Sequence, residues 1–353
     1  MMPRKSPSTS AGGLIGQLVY FGYMLVFLIG LCLFFQIMTG RAMNLEGSLW
    51  GWMTSGTFIT GENFSNVLRQ TSVTTIIGVG MTMVIISAGI DLSVGAVLAL
   101  AGVLSTAVIM RGFPMPFPYP SDSAMTPIWP LAASLPVAVL VAGVVGGICG
   151  AHNAIPIVKL RVPPFIATLA MFSLARGFAY IYVGGGQVGN LPSSFTSMVG
   201  EGYLMPIIAL SSVLIGYVLL SWTKFGRAVY AIGGNEQAAR LSGVNVGKVK
   251  FWVYVICGML AGVAGLLLAG RIGAGDPKSG MGYELNAIAA VVVGGTSLMG
   301  GVGTIPGTLL GAVIIGSLDT GLGLMGINWF VQMVVKGYVI LMAVVLDQMK
   351  KRA

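Results

Sequence analysis

The sequence predicts an all-α, polytopic membrane protein with about ten transmembrane helices. Hydrophobic residues make up 56% of the 353 residues and charged residues 8%, whereas about 25% of the residues in a soluble domain are charged. The apolar runs are about 20 residues long, which is the length that a helix needs to cross a bilayer. A transmembrane β-barrel would instead show short segments of alternating hydrophobicity.

Ten apolar runs are predicted to cross the membrane. The first is too long for a signal peptide and no small-x-small cleavage site follows it, so it is predicted to remain as a helix. Before the second, the run GENFSNVLRQ is expected to form a short interfacial helix. The eighth and ninth are short for a bilayer, and the glycine-rich run TSLMGGVG joins them. The predicted spans are residues 19–38, 71–88, 92–110, 130–150, 164–183, 205–222, 251–270, 285–298, 304–318 and 329–346.

The distribution of positive charge predicts the orientation of these spans. An even number of spans places both ends of the chain on one side, together with the loop of residues 223–250. That side would carry twelve of the nineteen Lys and Arg residues and the opposite side five, and positively charged loops face the cytoplasm. The terminal tails, residues 1–18 and 349–353, are therefore expected in the cytoplasm. The net charge of +9 reflects this orientation and does not indicate nucleic-acid binding.

The loop of residues 223–250 is the longest hydrophilic run between two spans. Within it, NEQAARLSG predicts one short helix, with Asn235 as its N-cap and Gly243 at its end. Glu236 and Arg240 stand at i and i+4, a pair worth about 0.2–0.5 kcal/mol. Such a helix is marginal alone in water. We therefore expect it to be held against the membrane surface and offered to a partner.

Two stretches of the sequence echo each other. GIDLSVGAVLALAG begins at Gly89, and GYELNAIAAVVVGG begins at Gly282. In the ten-span arrangement the first lies at the inner end of one span and the second at the outer end of another. Equivalent segments on opposite sides are what an inverted five-plus-five repeat requires, so such a repeat is predicted.

The acids in these stretches, Asp91 and Glu284, have two interpretations. Each precedes an apolar run, where a carboxylate can cap a helix by accepting bonds from its free backbone N–H groups. Intramembrane acids can also line a transport pathway or carry protons. Capping is favoured over proton carriage, and capping and pathway lining can coexist.

Further polar residues fall inside apolar spans. Arg176 and Lys336 each cost about 2.5–3.5 kcal/mol if unpaired at mid-helix, so they are expected to face protein or water, with structural pairing favoured over substrate contact. The candidates for the lining of a translocation pathway are Asp91, Ser93, Glu284, Asn286, Thr296 and Ser297. For each of them, ordinary helix packing is an equally good interpretation.

No catalytic site or metal site is predicted. Gly184, Gly186 and Gly189 match G-x-G-x-x-G, but no strand precedes them. GVNVGKVK is one residue short of a P-loop and lacks the Ser or Thr that follows the Lys. His152 is the only histidine, and the three cysteines all lie in apolar runs, which indicates neither a histidine metal cluster nor a disulfide framework. If this chain transports with ATP, another chain must hydrolyse it.

Five stretches, in order from Asn63 to about Gly316, form a specific pattern: NFSNVLRQTS, GMTMVIISAGIDLSVGAVLALAG, VPPFIATLAMFSLARGFAY, FGRAVYAIGGNEQAARLSGV and GYELNAIAAVVVGGTSLMGGVGT. They resemble the permease subunit of sugar-importing ABC transporters, of the ribose, xylose, arabinose and galactose type. The resemblance implies a homodimer of ten-helix permeases in the bacterial inner membrane, with the solute path near the dimer axis. Residues 19–348 would then form the permease domain.

The resemblance also implies the partners. Two ATPase subunits on the cytoplasmic side would bind ATP and Mg, with no cofactor in this chain, and a periplasmic sugar-binding protein would deliver the solute. The coupling helix of the family, which docks in a groove of the ATPase, falls on Asn235, Glu236, Gln237, Ala238, Ala239, Arg240, Leu241, Ser242 and Gly243. The segments 40–60 and 111–128 resemble outer insertions that vary within the family, and they lie where a binding protein would dock.

The expected function is import of a monosaccharide, a pentose, a hexose or a related polyol, powered by ATP hydrolysed in another chain. The alternative is a proton-coupled secondary transporter of a small polar solute, with Asp91 or Glu284 as the carrier. A membrane scaffold without transport is disfavoured, because it has no need of broken helices and buried charges.

Overall fold

The computed structural model describes residues 11–43, 47–112, 117–119 and 127–352. Within these ranges the regular elements are helices, together with one antiparallel bridge between Val188 and Gly275. The all-α prediction is therefore confirmed. The N-terminal charges Arg4 and Lys5 lie outside the described residues, as do parts of the two predicted outer insertions.

Fourteen α-helices are present in the described part of the chain, with one π-helical turn at Ser197–Glu201. They are α1 (Ala11–Met43), α2 (Leu49–Ser55), α3 (Gly61–Ile86), α4 (Val94–Arg111), α5 (Leu131–Lys159), α6 (Pro164–Val183), α7 (Ser193–Thr196), α8 (Leu204–Trp222), α9 (Lys224–Gly234), α10 (Glu236–Leu241), α11 (Val246–Ile272), α12 (Tyr283–Val293), α13 (Ile305–Leu324) and α14 (Trp329–Arg352).

Eight of these helices are long and apolar enough to cross a membrane: α1, α3, α4, α5, α6, α8, α11 and α13. The two shorter apolar helices, Tyr283–Val293 and Trp329–Met342, fall on the eighth and tenth predicted spans. Every predicted span thus coincides with one apolar helix. The prediction of a polytopic membrane protein is confirmed.

Several helix boundaries differ from the sequence-based prediction, and three of the differences change an expectation. α1 begins at Ala11, inside the predicted tail, and α13 continues to Leu324, so the ninth span is not short. GENFSNVLRQ is not a separate interfacial helix, because it forms the first turns of α3. Thr60 caps that helix by accepting a hydrogen bond from the backbone N–H of Asn63, and no helix-breaking residue follows.

The centre of the molecule is built from α3, α4 and α11. In the most apolar stretch of each helix, 89% of the residues are buried in α3 and in α4, and 67% in α11. The corresponding shares are only 17% in α1 and 28% in α5. Hydropathy could not predict this ranking, because a lipid-facing helix is as apolar as a central one.

Glycines let α11 approach its neighbours closely. A Cβ on Gly80 of α3 would lie 2.7 Å from the Cα of Cys257. A Cβ on Gly146 of α5 would overlap the carbonyl oxygen of Gly258 of α11, and a Cβ on Gly258 would overlap the carbonyl oxygen of Gly146. Packing of this kind is how helices associate in lipid, where no hydrophobic effect drives them together.

α12 crosses only part of the molecule. Its eleven residues span about 16 Å, about half of a bilayer core of about 30 Å. The segment before it, residues 273–282, is not helical and runs along α4. Gly275 lies beside Gly102, and Gly280 lies beside Gly95. This segment therefore descends about two helical turns into the molecule before α12 begins.

The close contact at Gly146 gives a stability prediction with a control on the same helix. Gly146→Ala should lower the melting temperature, because overpacking of this kind costs about 1–3 kcal/mol. Gly143→Ala should leave it unchanged or raise it, because a Cβ there meets nothing within 4 Å and alanine is the better helix former by about 1 kcal/mol. Thermal unfolding of the two purified variants in the same detergent would test this. Equal melting temperatures would contradict the packing described here.

Candidate coupling and translocation sites

The hydrophilic loop folds as two helices, α9 and α10. Thr223 caps α9 by accepting a bond from the N–H of Gly226 at 3.2 Å. Asn235 caps α10 in the same way, with Oδ1 2.9 Å from the N of Ala238. Gly243 follows with a φ of +83°, a conformation that favours glycine. The start and stop signals in the sequence therefore lie where the short helix begins and ends.

Glu236 forms the predicted pair with Arg240, at 3.2 Å, and a second pair with Lys250 of α11, at 2.7 Å. The hydrogen bond from Lys250, more than that from Arg240, holds the pKa of Glu236 below its ordinary value. Because that value is about 4.3 in an unfolded chain, the pairs stabilise the loop above this pH and stop doing so as the pH falls through the lowered pKa. The pairs tie α10 to the start of α11.

The two faces of α10 differ in exposure. Ala239 is 5% exposed and packs in a small apolar cluster with Ile232 and Val246. Leu241 is 90% exposed, and Gln237 is exposed beside it. The helix is thus anchored to the rest of the chain on one face and presents an apolar side chain on the other.

The end of α9 makes a backbone junction with the end of α3. A Cβ on Gly233 would overlap the carbonyl oxygen of Ile86. The same carbonyl accepts a hydrogen bond from the N–H of Gly301 at 2.9 Å, and Tyr230 Oη donates to the carbonyl of Gly303 at 2.7 Å. Three segments from distant parts of the sequence therefore meet here: the end of α9, the end of α3 and the glycine-rich segment 294–304.

Asp91 does not cap α4, so the capping interpretation is wrong for this residue. The N-cap is Ser93, which makes no side-chain cap bond. Asp91 Oδ1 instead accepts two hydrogen bonds from Ser93, from the backbone N at 2.9 Å and from Oγ at 2.6 Å. Ser93 Oγ in turn accepts a bond from Asn153 Nδ2 of α5 at 2.9 Å. Asp91 thus braces the turn between α3 and α4.

Glu284 is at the start of α12, where Gly282 is the N-cap. Its Oε1 accepts a bond from the N–H of Gly282 at 3.2 Å, so it supports the helix start from inside the first turn. Its Oε2 lies so close to Gly95 of α4 that a Cβ on Gly95 would overlap this oxygen. The two echoing stretches of the sequence are therefore in contact in the fold.

Arg176 of α6 holds the non-helical segment before α12. Its Nη1 donates to the carbonyl oxygens of Pro277 and Ser279, the latter at 2.7 Å. Arg176 Nη2 and Glu284 Oε2 are buried and find no hydrogen-bond partner among the described residues. The guanidinium therefore bonds to carbonyl groups of the non-helical segment, while its Nη2 has no partner among the described residues.

Lys336 of α14 pairs with Asp319 of α13, with 3.3 Å between Nζ and Oδ1. Their side chains are 16% and 12% exposed. Asp319 was not among the residues that the sequence singled out. The acid and the base are 17 residues apart in the sequence and lie on different helices, so no intrahelical spacing could have indicated the pair.

The remaining predicted pathway residues do not form one cluster. Thr296 and Ser297 are buried in segment 294–304, near the α9 junction, and Asn286 is half-buried on α12. A groove among α4, α5 and α6 is apolar except for His152, and none of the predicted pathway residues lines it. The candidates therefore divide between the α4–α12 contact and the loop junction.

Comparisons with known proteins agree on a transport role. A family model described as "Branched-chain amino acid transport system / permease component" matches residues 63–344. The ribose import permease protein RbsC of Escherichia coli strain K12 is 42% identical over 84% of this chain and 89% of that protein. RbsC of Bacillus subtilis strain 168 is 43% identical over 83% of this chain and 87% of that protein. The xylose transport system permease protein XylH of Escherichia coli strain K12 is 35% identical over 85% of this chain and 88% of that protein.

No solved structure matches the chain. The matched family segment contains the α9–α10 loop, the non-helical segments 273–282 and 294–304, and the ion pairs of Glu236 and Asp319. The resemblance to permease subunits of sugar-importing ABC transporters is thus confirmed, and the chain belongs to this family of transport-system permease components.

Proposed function

We propose that the chain is the membrane-spanning subunit of an ATP-driven importer that carries a monosaccharide, a pentose, a hexose or a related polyol, across the bacterial inner membrane. The relatives named for ribose and xylose support the solute class, because they align with more than four fifths of the chain. The observation that carries the proposal is α10, a short helix anchored through Ala239 that exposes 90% of Leu241.

The proposed partners follow from this assignment. A separate ATPase subunit binds ATP and Mg and receives α10, a periplasmic sugar-binding protein delivers the solute, and a second copy of the chain completes the pathway. Both termini and the α9–α10 loop face the cytoplasm, as the excess of Lys and Arg on that side supports. The chain itself carries no cofactor in this proposal.

Coupling would pass through the α9 junction. A movement of the ATPase displaces α10, which the Glu236 pairs tie to Lys250. α9 moves with α10, and Gly233 bears directly on the carbonyl of Ile86. A small shift at the loop therefore reaches the end of α3 and segment 294–304 as a rigid-body displacement. Because close-packed backbones deform little, this junction transmits rather than absorbs the movement.

The solute path is proposed to pass the start of α12. Arg176 Nη2 is an unused donor and Glu284 Oε2 an unused acceptor, the two kinds of group that bind sugar hydroxyls. Nearby Met281 and Leu285 are 64% and 50% exposed, so this part of α12 lies at the surface of the single chain. A path there would be shared with a second copy packed against the same surface.

Transport by the reconstituted complex tests the proposal against the proton-coupled alternative. The purified chain should hydrolyse no ATP, and it should import labelled sugar only with the ATPase and the binding protein present. Uptake should continue when an ionophore collapses the proton gradient. Uptake by the chain alone that stops with the ionophore would instead support a proton-coupled secondary transporter.

Leu241→Glu should weaken binding of the ATPase by at least about tenfold, or about 1.4 kcal/mol, because it places a charge in an apolar contact. The melting temperature of the permease alone should not change, since the side chain is 90% exposed. Leu241→Met should bind as the parent does. Ala239→Glu is the contrasting variant, and it should lower the melting temperature itself because Ala239 is buried. Unchanged ATPase binding by Leu241→Glu would refute the docking assignment.

The adjacent residues Gly233 and Gly234 provide a matched test of coupling through the junction between α9 and the end of α3. Gly233→Ala should reduce sugar uptake by about tenfold or more while ATPase binding is retained, because a Cβ there displaces the Ile86 carbonyl but leaves the outer face of α10 intact. Gly234→Ala should transport normally, since a Cβ on Gly234 meets nothing within 4 Å. Uptake and ATPase co-purification are measured on both variants. Equal uptake by the two would show that coupling does not pass through Gly233.

A further inference from the structure

Asp91 is enclosed by protein. It is 1% exposed, and the ion pairs among the described residues involve only Glu236 and Asp319 as acids. An ionised carboxylate with no cation beside it is one of the most costly groups to bury. The environment of Asp91 must therefore provide either a compensating positive charge or a proton.

In the part of the chain that the structure describes, the groups that face Asp91 are all uncharged or acidic. Ser93 of its own segment donates twice to Oδ1. The Asn153 amide of α5 and the Cys257 thiol of α11 lie within hydrogen-bonding reach of the carboxyl as donors. Cys149 and Tyr254 are the other titratable groups nearby, and the Tyr254 hydroxyl is buried without a hydrogen-bond partner among the described residues. Each of these groups is neutral or becomes negative when it titrates. None can supply the missing positive charge.

Asn153 supplies the observation that favours a proton on Asp91. Its Nδ2 donates to Ser93 Oγ at 2.9 Å, but its Oδ1 is buried without a hydrogen-bond partner among the described residues. An ionised Asp91 offers only acceptors and cannot satisfy a carbonyl oxygen. A protonated Asp91 carries one O–H donor, which is the group that Asn153 lacks.

We propose that Asp91 is a neutral carboxylic acid in the folded protein at neutral pH and that its hydroxyl donates to Asn153 Oδ1. Oδ1 of Asp91 keeps its two bonds from Ser93, and the proton closes a ring of hydrogen bonds through Asp91, Ser93 and Asn153. The ring joins the turn before α4 to α5. Asp91 is thus a positioning residue whose proton is resident rather than transported.

The ring lies next to the candidate pathway but does not depend on it. It fixes the first turn of α4, whose Gly95 receives the Glu284 side chain. The ring is a property of the folded chain and does not depend on which solute is transported or on the ATPase.

Infrared difference spectroscopy of the purified full-length protein tests the proton directly. At neutral pH the carbonyl stretch of one protonated carboxyl group should be present in the parent and lost in Asp91→Asn. Asp319→Asn is the matched control and should lose no such band, because Lys336 pairs with Asp319 and keeps it ionised. Spectra of the parent and Asp91→Asn that are equal in this region would overturn the proposal, since Asp91 would then be ionised.

Rescue by an isosteric variant tests the hydrogen bond. An Asn at position 91 can accept from Ser93 through its oxygen and donate to Asn153 through its amide, so Asp91→Asn should melt close to the parent. Asp91→Leu removes all three bonds and should melt several degrees lower. A large loss of stability in Asp91→Asn would contradict a neutral acid. A carboxyl band that appears only when sodium is removed would also do so, because it would identify a bound monovalent cation.

Discussion

The requirement that buried backbone groups be hydrogen-bonded controls this structure. Lipid offers no donors or acceptors, so non-helical segments at membrane depth are tolerated only inside protein. The segments 87–93, 273–282 and 294–304 are non-helical and partly buried between helices. Their groups are satisfied by tertiary partners, such as the bonds between Val188 and Gly275 and between Gly301 and Ile86. Segment 273–282 lies against α4, and segment 294–304 lies against the ends of α3 and α9.

Glycines allow α11 to pack closely against its neighbouring helices. Glycines on α3 and α5 let the backbone of α11 come within contact distance, as Gly80 and Gly146 show. The same device recurs at Gly233, where the loop meets the end of α3. Backbone-to-backbone contact leaves little room for side chains to adjust. The proposed coupling therefore follows from the same packing that stabilises the fold in lipid.

The sequence predicted correctly those features that depend on residues a few positions apart. Asn235 caps α10 as predicted, and the pair of Glu236 with Arg240 forms at the expected spacing. The acids at the helix starts were harder to interpret. Asp91 is two residues upstream of the cap and bonds to Ser93, and Glu284 supports its helix from within the first turn. A carboxylate near a helix start can be recognised in a sequence, but the group to which it bonds depends on the turn that precedes the helix.

The sequence by itself determined the class of protein, the positions of its apolar helices and the start and stop of α10. These properties depend on hydrophobic length and on residues within a few positions of one another. Only the tertiary structure decided which helices are central, that Lys336 pairs with Asp319, that Lys250 joins the Glu236 pair and that Ala239 faces inward. In lipid the outside and the inside of the molecule are equally apolar. The hydrophobic pattern that orients a soluble helix therefore carries no such information here.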